Sequence, residues 1–334
     1  MKKSSGRETL ILINSEIKSI VSMEEVISIV EAAFKEKGEG KVQMPPKPYV
    51  FFPAYNGDFR VMPAYLEESN IAGVKIVNAH WDNRSKYSLP NVMATITLIE
   101  PATGFPLAII EGAWITAMRT GAAGAVAAKY LSRKDSRSVG IVGAGVQARF
   151  QLMALSHVRN ITSVKVTDIS EAAARSFAKE MTDSLHIDIK AFSSVEDAVK
   201  DVDIVVTVTP SRKPIVMREW LRKGVHINAI GADAPGKQEL DPEILREAKI
   251  VIDDWEQALH GGEINVPYEK GIITKEKIYG EIADIVIARK PGRTSSEETT
   301  VFDSTGLAIQ DVATAWVIYR RAEEKNLGQT IKLF

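Results

Sequence analysis

The sequence predicts an α/β protein that combines a doubly wound parallel sheet with a second, discontinuous α+β domain. Three observations indicate this fold. An apolar run, Val139–Val142, leads into a glycine-rich turn, Gly143–Ala148. From Ser136 onward, apolar strands alternate with helical segments, as they do in parallel sheets. Before this point, β-rich stretches follow one another without helices, which favours a mixed or antiparallel sheet.

The glycine-rich turn has the form G-x-G-x-x-A, with Gly143, Gly145 and Ala148 at the fixed positions. Gly143 permits a tight turn, and Gly145 lets the backbone approach a pyrophosphate at the following helix N-terminus. Asp168 ends the next apolar run, where an acid binds ribose hydroxyls. The pattern predicts a dinucleotide site of the Rossmann type; the alternative is a glycine turn in an unrelated α/β protein. Since no arginine immediately follows Asp168, the site favours NAD over NADP.

The first domain begins with a helix that Ser22 and Glu25 start as a capping box and that ends near Gly38. The proline-rich segment 43–53 is predicted to be extended. A strand series and then an Ala- and Gly-rich helix complete this part of the chain. The predicted elements are strands Phe59–Pro63, Gly73–Asn78, Val92–Glu100 and Phe105–Glu111, a turn at Pro101–Gly104, and helix Ile115–Leu131.

The second domain is predicted from short apolar runs and from a helix start at Asp241-Pro242. A final helix, Leu307–Glu324, is expected to return to the first domain. The predicted domains are therefore 1–119 together with 307–334, and 120–306. The strands predicted in the second domain are Ser138–Val142, Ser163–Thr167, Ile187–Ala191, Asp203–Val208, Val225–Ile230, Lys249–Asp253 and Thr300–Phe302.

Composition excludes several classes of protein. The chain has 334 residues. It has no cysteine, which excludes disulfides and a thiol nucleophile. Its net charge of −1 gives no sign of nucleic-acid binding. We expect no signal peptide and no membrane span, because residues 1–7 are polar and no apolar run is long enough; this pattern favours a cytoplasmic protein. No histidines stand at metal-ligand spacing, so no metal is expected. Asp253, Asp254, His260 and Glu263 are interpreted as a polar loop after a strand.

Three cations of the first domain are candidates for substrate chemistry. Arg60 and Lys75 lie within apolar strands, where the alternative is that they simply face solvent. If they face a cleft, arginine would clamp a carboxylate and a desolvated lysine would serve as acid or base. Arg119 stands in the small-residue helix, suited to phosphate or carboxylate, and its alternative is a charge on the helix surface.

Ligands of doubly wound sheets bind beyond the carboxyl ends of the strands, and three such ends carry polar residues. One is Thr209, another is the loop Gly231–Lys237, and the last is Asp303 with Ser304. Gly231 would allow close approach of a nicotinamide. Asp233 in the same loop is either an active-site acid or a turn former before Pro-Gly.

These residues fall within motifs that resemble the ornithine cyclodeaminase/mu-crystallin family, in one order along nearly the whole chain. Within the family, the chain is most similar to the archaeal alanine dehydrogenases. The segments that carry this likeness are Met44–Pro48, Pro63–Tyr65, Lys237–Asp241, His260–Asn265 and 302–311. The motifs shared with the family are Arg60–Pro63, Gly73–Asn78, Met118–Ala123, Gly143–Gln147, Gly231–Lys237 and Phe302–Gly306.

The resemblance implies a role for each matching residue. Arg60, Lys47 and Arg119 would bind the substrate, and Lys75 and Asp233 would be catalytic. The first domain would bind substrate and form a homodimer through its sheet, and the second would bind NAD. The cofactor contacts implied by the resemblance are Asn91, Arg119, Thr120, Gly143, Gly145, Val146, Gln147, Asp168, Thr209, Ile230, Gly231, Ala232, Lys237, Asp303 and Ser304.

Three functions are consistent with the resemblance. The first is NAD-dependent, reversible oxidative deamination of L-alanine to pyruvate and ammonia. The second is cyclodeamination of ornithine to proline, or the related reduction of a cyclic imino acid. The third is cofactor-dependent ligand binding without turnover, as in a mu-crystallin-like carrier. Ala232 and Ala234 around Asp233, and the proline-rich stretch around Lys47, favour the first.

Overall fold

The computed structural model describes residues 7–334. The chain divides into two compact units. The first contains the chain up to Arg119 together with Leu307–Phe334, and the second is Thr120–Gly306.

The elements before the glycine-rich turn are mainly strands. Each predicted strand in this part is present, and two of them are longer than predicted. In chain order the elements are β1 (Thr9–Leu12), α1 (Asn14–Ile17), α2 (Met23–Gly38), β2 (Val42–Gln43), β3 (Tyr49–Phe52), a 3₁₀ turn (Pro53–Tyr55), β4 (Gly57–Leu66), β5 (Ile71–His80), α3 (Asn83–Lys86), β6 (Val92–Ile99), β7 (Pro106–Glu111) and α4 (Ala113–Leu131).

From Ser138 onward, strands and helices alternate until a long helix returns to the first unit. These elements are β8 (Ser138–Val142), α5 (Val146–Val158), β9 (Ser163–Thr167), α6 (Glu171–Leu185), β10 (Asp188–Ala191), α7 (Val195–Val199), β11 (Ile204–Thr207), β12 (Arg212–Val216), a 3₁₀ turn (Arg218–Trp220), β13 (His226–Ala229), β14 (Gln238–Leu240), α8 (Pro242–Glu247), β15 (Lys249–Ile252), α9 (Trp255–Gly261), α10 (Asn265–Glu269), a 3₁₀ turn (Lys275–Lys277), β16 (Ile278–Glu281), α11 (Ile282–Val286), β17 (Thr300–Asp303), α12 (Ala308–Lys325) and β18 (Gln329–Ile331).

The sheet of the first unit has the order β18-β1-β7-β6-β5-β4-β2, and β3 pairs with β4. β4 to β7 are antiparallel neighbours, whereas β1 is parallel to β7. The sheet is therefore mixed, as predicted. Helix α12 packs on β4, β5 and β6, and α2 packs on α12. α2 starts as predicted, because the Ser22 hydroxyl accepts from Glu25 N and the Glu25 carboxylate accepts from Ser22 N.

The sheet of the second unit has eight parallel strands in the order β10-β9-β8-β11-β13-β17-β15-β16. After β8 the chain adds β9 and β10 on one side, and then returns to add β11 and β13 on the other. The strand order therefore reverses between β8 and β11, which confirms the predicted doubly wound fold. Ligands of such sheets bind at this reversal.

The interpretation of residues 253–263 as a polar loop was wrong. Residues 255–261 form helix α9, which Asp254 caps by accepting a hydrogen bond from Gln257 N at 3.1 Å. Asp253 and Glu263 are fully buried and accept backbone hydrogen bonds. The Asp254-x-x-Gln257 spacing is a helix-start signal that the sequence did contain.

Within residues 7–334, no helix is long and apolar enough to cross a membrane.

The buried His226, on β13, is expected to make the free energy of unfolding depend on pH. Its ring nitrogens lie 2.9 Å from Thr300 Oγ1 and 3.0 Å from Asn228 Oδ1. Burial, followed by the charge of Arg293, lowers the pKa of His226 from 6.5 to about 3. The unfolded chain therefore binds this proton first, and stability is lost as the pH falls from 6.5 towards 3, by about 1.4 kcal/mol per pH unit.

His226→Gln removes this titrating group, so its unfolding free energy is expected to depend less steeply on pH below 6.5. Guanidinium unfolding at several pH values measures the slope, and the same substitution at the exposed His157 controls for the loss of a histidine. Equal slopes for wild type and His226→Gln would contradict the expectation.

Candidate active site

Arg60 and Lys75 lie on one face of the first unit's sheet. The register of β4 and β5 places Met62 opposite Lys75 and Val77 opposite Arg60. Side chains opposite each other share a face, and so do those two residues apart along a strand. Lys75 is 0% exposed, so the solvent-facing alternative is wrong for it, and the side chain of Arg60 is only 11% exposed.

Asp311, on α12, connects two of the candidate cations. Its Oδ2 lies 2.7 Å from Lys75 Nζ, and its Oδ1 accepts from Arg119 Nε at 3.0 Å. Arg119 also donates to Gln310 Oε1 at 2.8 Å and is 5% exposed, so the helix-surface alternative for Arg119 is wrong. Asp311 and Gln310 were not among the residues predicted from the sequence.

The Lys75–Asp311 contact is an ion pair without an aligned hydrogen bond. Lys75 Nζ, Asp311 Oδ2 and Gln310 Nε2 are buried polar atoms that have no partner in hydrogen-bond geometry. Buried groups of this kind normally have such a partner, so the three atoms fit a polar ligand. Burial lowers the pKa of Lys75 to about 7, the nearby charges of Arg119 and Lys47 lower it too, and Asp311 opposes the shift.

Arg60 is held by neighbours of its own. Asp58, on the same face of β4, accepts from Arg60 Nε at 3.0 Å. The guanidinium also lies over the Tyr49 ring, 4.9 Å from its centroid. This stacking limits the directions the guanidinium can take and suits it to a planar carboxylate.

Cations outnumber carboxylates among these groups. Lys47, Arg60, Lys75 and Arg119 are countered by Asp58 and Asp311. The first unit therefore brings together the substrate residues predicted from the sequence in a setting that favours an anionic ligand and disfavours an added positive charge.

The glycine-rich turn of the second unit has the shape a dinucleotide requires. Gly143 has φ +102°, which favours glycine. Gly145 is the N-cap of α5, without a side-chain cap, and a Cβ there would meet no atom within 4 Å. The next residue, Val146, is 64% exposed, and Gln147 Oε1 is buried without a hydrogen-bond partner. An open helix N-terminus and an unsatisfied amide oxygen both fit the cofactor.

Asp168 follows β9, beside this turn. Its carboxylate accepts from Ala144 N at 2.7 Å and from Ser170 N at 2.8 Å. Because each carboxylate oxygen has a further acceptor site, Asp168 remains able to accept from ribose hydroxyls.

The predicted residues beyond the other strand ends are mostly buried and take part in hydrogen bonds. Thr209 follows β11, and Gly231 follows β13 between the buried Ile230 and Ala232. Lys237 Nζ lies 2.5 Å from Asp233 Oδ1, so Asp233 is part of an ion pair rather than only a turn former.

The side chain of Asp303 is engaged by the protein itself, since it accepts from Glu263 N and Ile264 N. Ser304 Oγ lies 3.5 Å from Asp253 Oδ2. In the same unit, the backbone carbonyl of Thr120 accepts from Gln151 Nε2.

Asn91 lies in the first unit, before β6, where its Oδ1 accepts from Arg84 N.

Within residues 7–334, no group of three or more His, Asp or Glu side chains is arranged to hold a metal.

Comparison with known proteins places this geometry in a family. The model of the ornithine cyclodeaminase/mu-crystallin family matches residues 7–326. The alanine dehydrogenase of Archaeoglobus fulgidus is 52% identical over 98% of this chain and 99% of that protein. A solved archaeal alanine dehydrogenase dimer with bound NAD has a TM-score of 0.94 and 52% identity, covering 98% of this chain and 100% of the other.

A second solved structure is equally similar in shape. Thermococcus litoralis Δ1-pyrroline-2-carboxylate reductase, in complex with NADH and L-proline, has a TM-score of 0.94 and 44% identity, covering 97% of this chain and all of the other. With these matches over almost the whole chain, the protein belongs to the ornithine cyclodeaminase/mu-crystallin family.

Proposed function

We propose that this protein is an NAD-dependent alanine dehydrogenase, which interconverts L-alanine with pyruvate and ammonia. The observation that carries the proposal is the fully buried Lys75, with a pKa of about 7, among other cations of the first unit. The 52% identity to the Archaeoglobus fulgidus alanine dehydrogenase supports the choice of substrate.

The substrate carboxylate would bind to the cations of the first unit. Arg60 presents a guanidinium that Asp58 and Tyr49 hold in place, and Lys47 adds positive charge. Arg119 is held by Asp311 and Gln310. Charge-assisted hydrogen bonds to the carboxylate would orient the Cα of the substrate.

Lys75 would move the proton. With a pKa of about 7, it is present in both protonation states near neutral pH. The neutral amine accepts a proton from the substrate amine or from the attacking water during deamination. The ammonium form returns a proton to the carbonyl oxygen of pyruvate during amination.

The second unit would hold the cofactor. When bound, NAD would accept the hydride that leaves Cα in deamination, and NADH would supply that hydride in amination. The turn at Gly143 and Gly145 and the N-terminus of α5 would bind the pyrophosphate, and Asp168 would accept from the adenosine ribose. Thr209, Gly231 and Lys237 would contact the nicotinamide half, with Lys237 paired to Asp233.

Asp168 is expected to make the protein prefer NADH over NADPH, because its carboxylate would repel the 2′-phosphate of NADPH. Asp168→Ser is expected to bind NADH about tenfold more weakly and to lose most of the wild-type preference over NADPH. Fluorescence titration with both cofactors measures the preference, and Asp183→Ser, at an exposed site, is the control. Equal affinity of the wild type for NADH and NADPH would refute the assignment.

A second candidate is reduction of a cyclic imino acid, supported by the 44% identity to the Thermococcus litoralis reductase. A cyclic imino acid brings a carboxylate without a second amino group, so it also fits the excess of cations. Ornithine brings a side-chain ammonium that these cations would repel. The cations of the first unit alone would therefore disfavour ornithine, whereas Asp233 of the second unit would assist the side-chain amine in cyclodeamination.

We propose a homodimer formed through the uncovered face of the first unit's sheet. Ile76, on the face of β5 opposite Lys75, is 45% exposed, and an apolar side chain exposed on a central strand suits burial by a second copy. We also propose that the protein is cytoplasmic.

A substrate panel tests the reaction. NADH absorbance is followed with pyruvate plus ammonium, with Δ1-pyrroline-2-carboxylate and with ornithine plus NAD, each repeated with the NADP form of the cofactor. Turnover with pyruvate plus ammonium at the highest kcat/KM is expected. Preference for the cyclic imine would establish the second candidate, and tight NADH binding without turnover would establish a ligand carrier.

A further inference from the structure

One buried carboxylate joins the two loops that follow neighbouring strands of the parallel sheet. Glu239, on β14, is 0% exposed. Its Oε1 accepts from Thr209 N and Thr209 Oγ1, both at 2.7 Å, and its Oε2 accepts from Gly231 N at 3.0 Å. Thr209 follows β11 and Gly231 follows β13, which are adjacent and parallel.

The two loops are also packed directly on each other. A Cβ added to Gly231 would lie 2.3 Å from the Thr209 carbonyl oxygen and 2.5 Å from Glu239 Oε2. Only glycine fits this close approach, so the positions of Thr209 and Gly231 are fixed together. The carboxylate supplies the acceptors that this arrangement needs on both sides. A glutamine would have only one acceptor oxygen and would point N–H groups at an N–H donor.

Two further buried carboxylates hold Glu239 in place. Glu263 accepts from the backbone N–H groups of Glu239 at 3.0 Å and of Leu240 at 2.7 Å. Asp303, at the end of β17, accepts in turn from Glu263 N at 2.8 Å and Ile264 N at 3.1 Å. The positions of the two loops are thus tied to the central sheet through successive carboxylate-to-backbone hydrogen bonds.

This arrangement costs stability. Burial raises the pKa of Glu239, and burial together with the charge of Glu239 raises the pKa of Glu263. Burying a carboxylate is expensive compared with burying an apolar side chain of similar size. An arrangement that costs stability at the ligand-binding edge of a sheet is characteristic of a functional site.

The location identifies which half of the cofactor is concerned. The strand order reverses between β8 and β11, with Asp168 following β9 on one side and Thr209 and Gly231 on the other. If Asp168 binds the adenosine ribose, the loops after β11 and β13 receive the nicotinamide half. On this basis, which rests on the proposed NAD site, we propose that Glu239 is a positioning residue that presets the Thr209 and Gly231 loops for nicotinamide.

The test compares NADH with ADP-ribose, which lacks the nicotinamide ring. Glu239→Gln is expected to weaken NADH binding about tenfold, the effect of one lost hydrogen bond, and to leave ADP-ribose binding within about twofold. Thr209→Val removes the hydroxyl that donates to Glu239 and accepts from Ser211 N, and it is expected to weaken NADH binding about threefold, again sparing ADP-ribose. If Glu239→Gln does not fold, Thr209→Val carries the test through deuterium exchange of the Gly231 peptide in the protein without cofactor, a readout that the loss of a direct contact with nicotinamide does not change.

Asp203→Asn is the matched control. Asp203 lies before β11, at the opposite edge of the sheet, and accepts from Arg137 N, Ser138 N and Ser138 Oγ. This variant is expected to lose stability with no change in the ratio of the two affinities. In the protein without cofactor, deuterium exchange of peptides containing Thr209 and Gly231 is expected to be about tenfold faster in Glu239→Gln than in Asp203→Asn.

The outcomes separate this assignment from the proposed function. Equal loss of NADH and ADP-ribose affinity in Glu239→Gln, or no loss of either, would overturn the role of Glu239 alone. A wild-type protein that binds neither molecule would overturn the proposed cofactor and the role of Glu239 with it.

Discussion

Lys75→Met is expected to lower kcat for pyruvate amination by about 10²- to 10⁴-fold, the range for loss of a general acid–base group. Dissociation constants for NADH are expected to stay within about twofold, because Lys75 belongs to the first unit and the proposed cofactor residues around the glycine-rich turn to the second. Stopped-flow rates and NADH titration measure the two quantities. Lys86→Met, at an exposed lysine, is the matched control.

Lys75→Arg separates proton transfer from simple charge. Arginine keeps the positive charge but does not release a proton near neutral pH, so this variant is expected to be almost as slow as Lys75→Met. In the wild type, the pH profile of kcat/KM is expected to bend near pH 7, the pKa of Lys75. An active Lys75→Arg enzyme with an unchanged bend would show that Lys75 acts only as a charge.

Asp311→Asn is expected to move that bend to lower pH. Asp311 lies 2.7 Å from Lys75 Nζ and favours its charged form, so loss of the carboxylate lowers the pKa of Lys75 further below 7. Removal of an opposite charge at this distance moves a pKa by about 1 to 3 units. Since the buried Arg119 also loses the negative charge that pairs with it, the free energy of unfolding is expected to fall by about 3 kcal/mol.

The pH profile of kcat/KM and guanidinium unfolding measure these two effects. Asp58→Asn is the comparison, because Asp58 pairs with Arg60 instead. It is expected to raise KM for pyruvate and to keep the bend near pH 7. A bend that moves to higher pH in Asp311→Asn, or does not move, would contradict the proposed role of the ion pair.

The parallel sheet was predictable because its strands are buried on both faces. Val139–Val142 and Ile204–Val206 are continuous apolar runs, which is how such strands appear in a sequence. The glycine-rich turn and Asp168 are local features of fixed spacing, and the structure brings them together through the Ala144 N to Asp168 hydrogen bond. Short strands such as β1 and the edge strand β18 carry too few residues to show a pattern, and they were not predicted.

The partners of the candidate site residues were not predictable, since each comes from a distant part of the chain. Asp311 lies on a helix, where a charged residue is normally assigned to the solvent face, yet it is fully buried against Lys75. Its signals in the sequence are its position between the apolar residues Ile309 and Val312 and its place in segment 302–311, which resembles the archaeal alanine dehydrogenases. Glu239 lies in the motif Lys237–Asp241, but the motif does not show its role, which depends on loops that the sheet brings together.

One incubation tests the proposed reaction most directly. The protein is supplied with pyruvate, ¹⁵N-ammonium and NADH carrying deuterium at both positions of C4, and the amino acids formed are analysed by mass spectrometry. We predict L-alanine that contains both ¹⁵N and deuterium, with one NADH consumed for each alanine formed. The contrary result is the absence of doubly labelled alanine while the same preparation reduces Δ1-pyrroline-2-carboxylate, or forms proline from ornithine without net change in NADH.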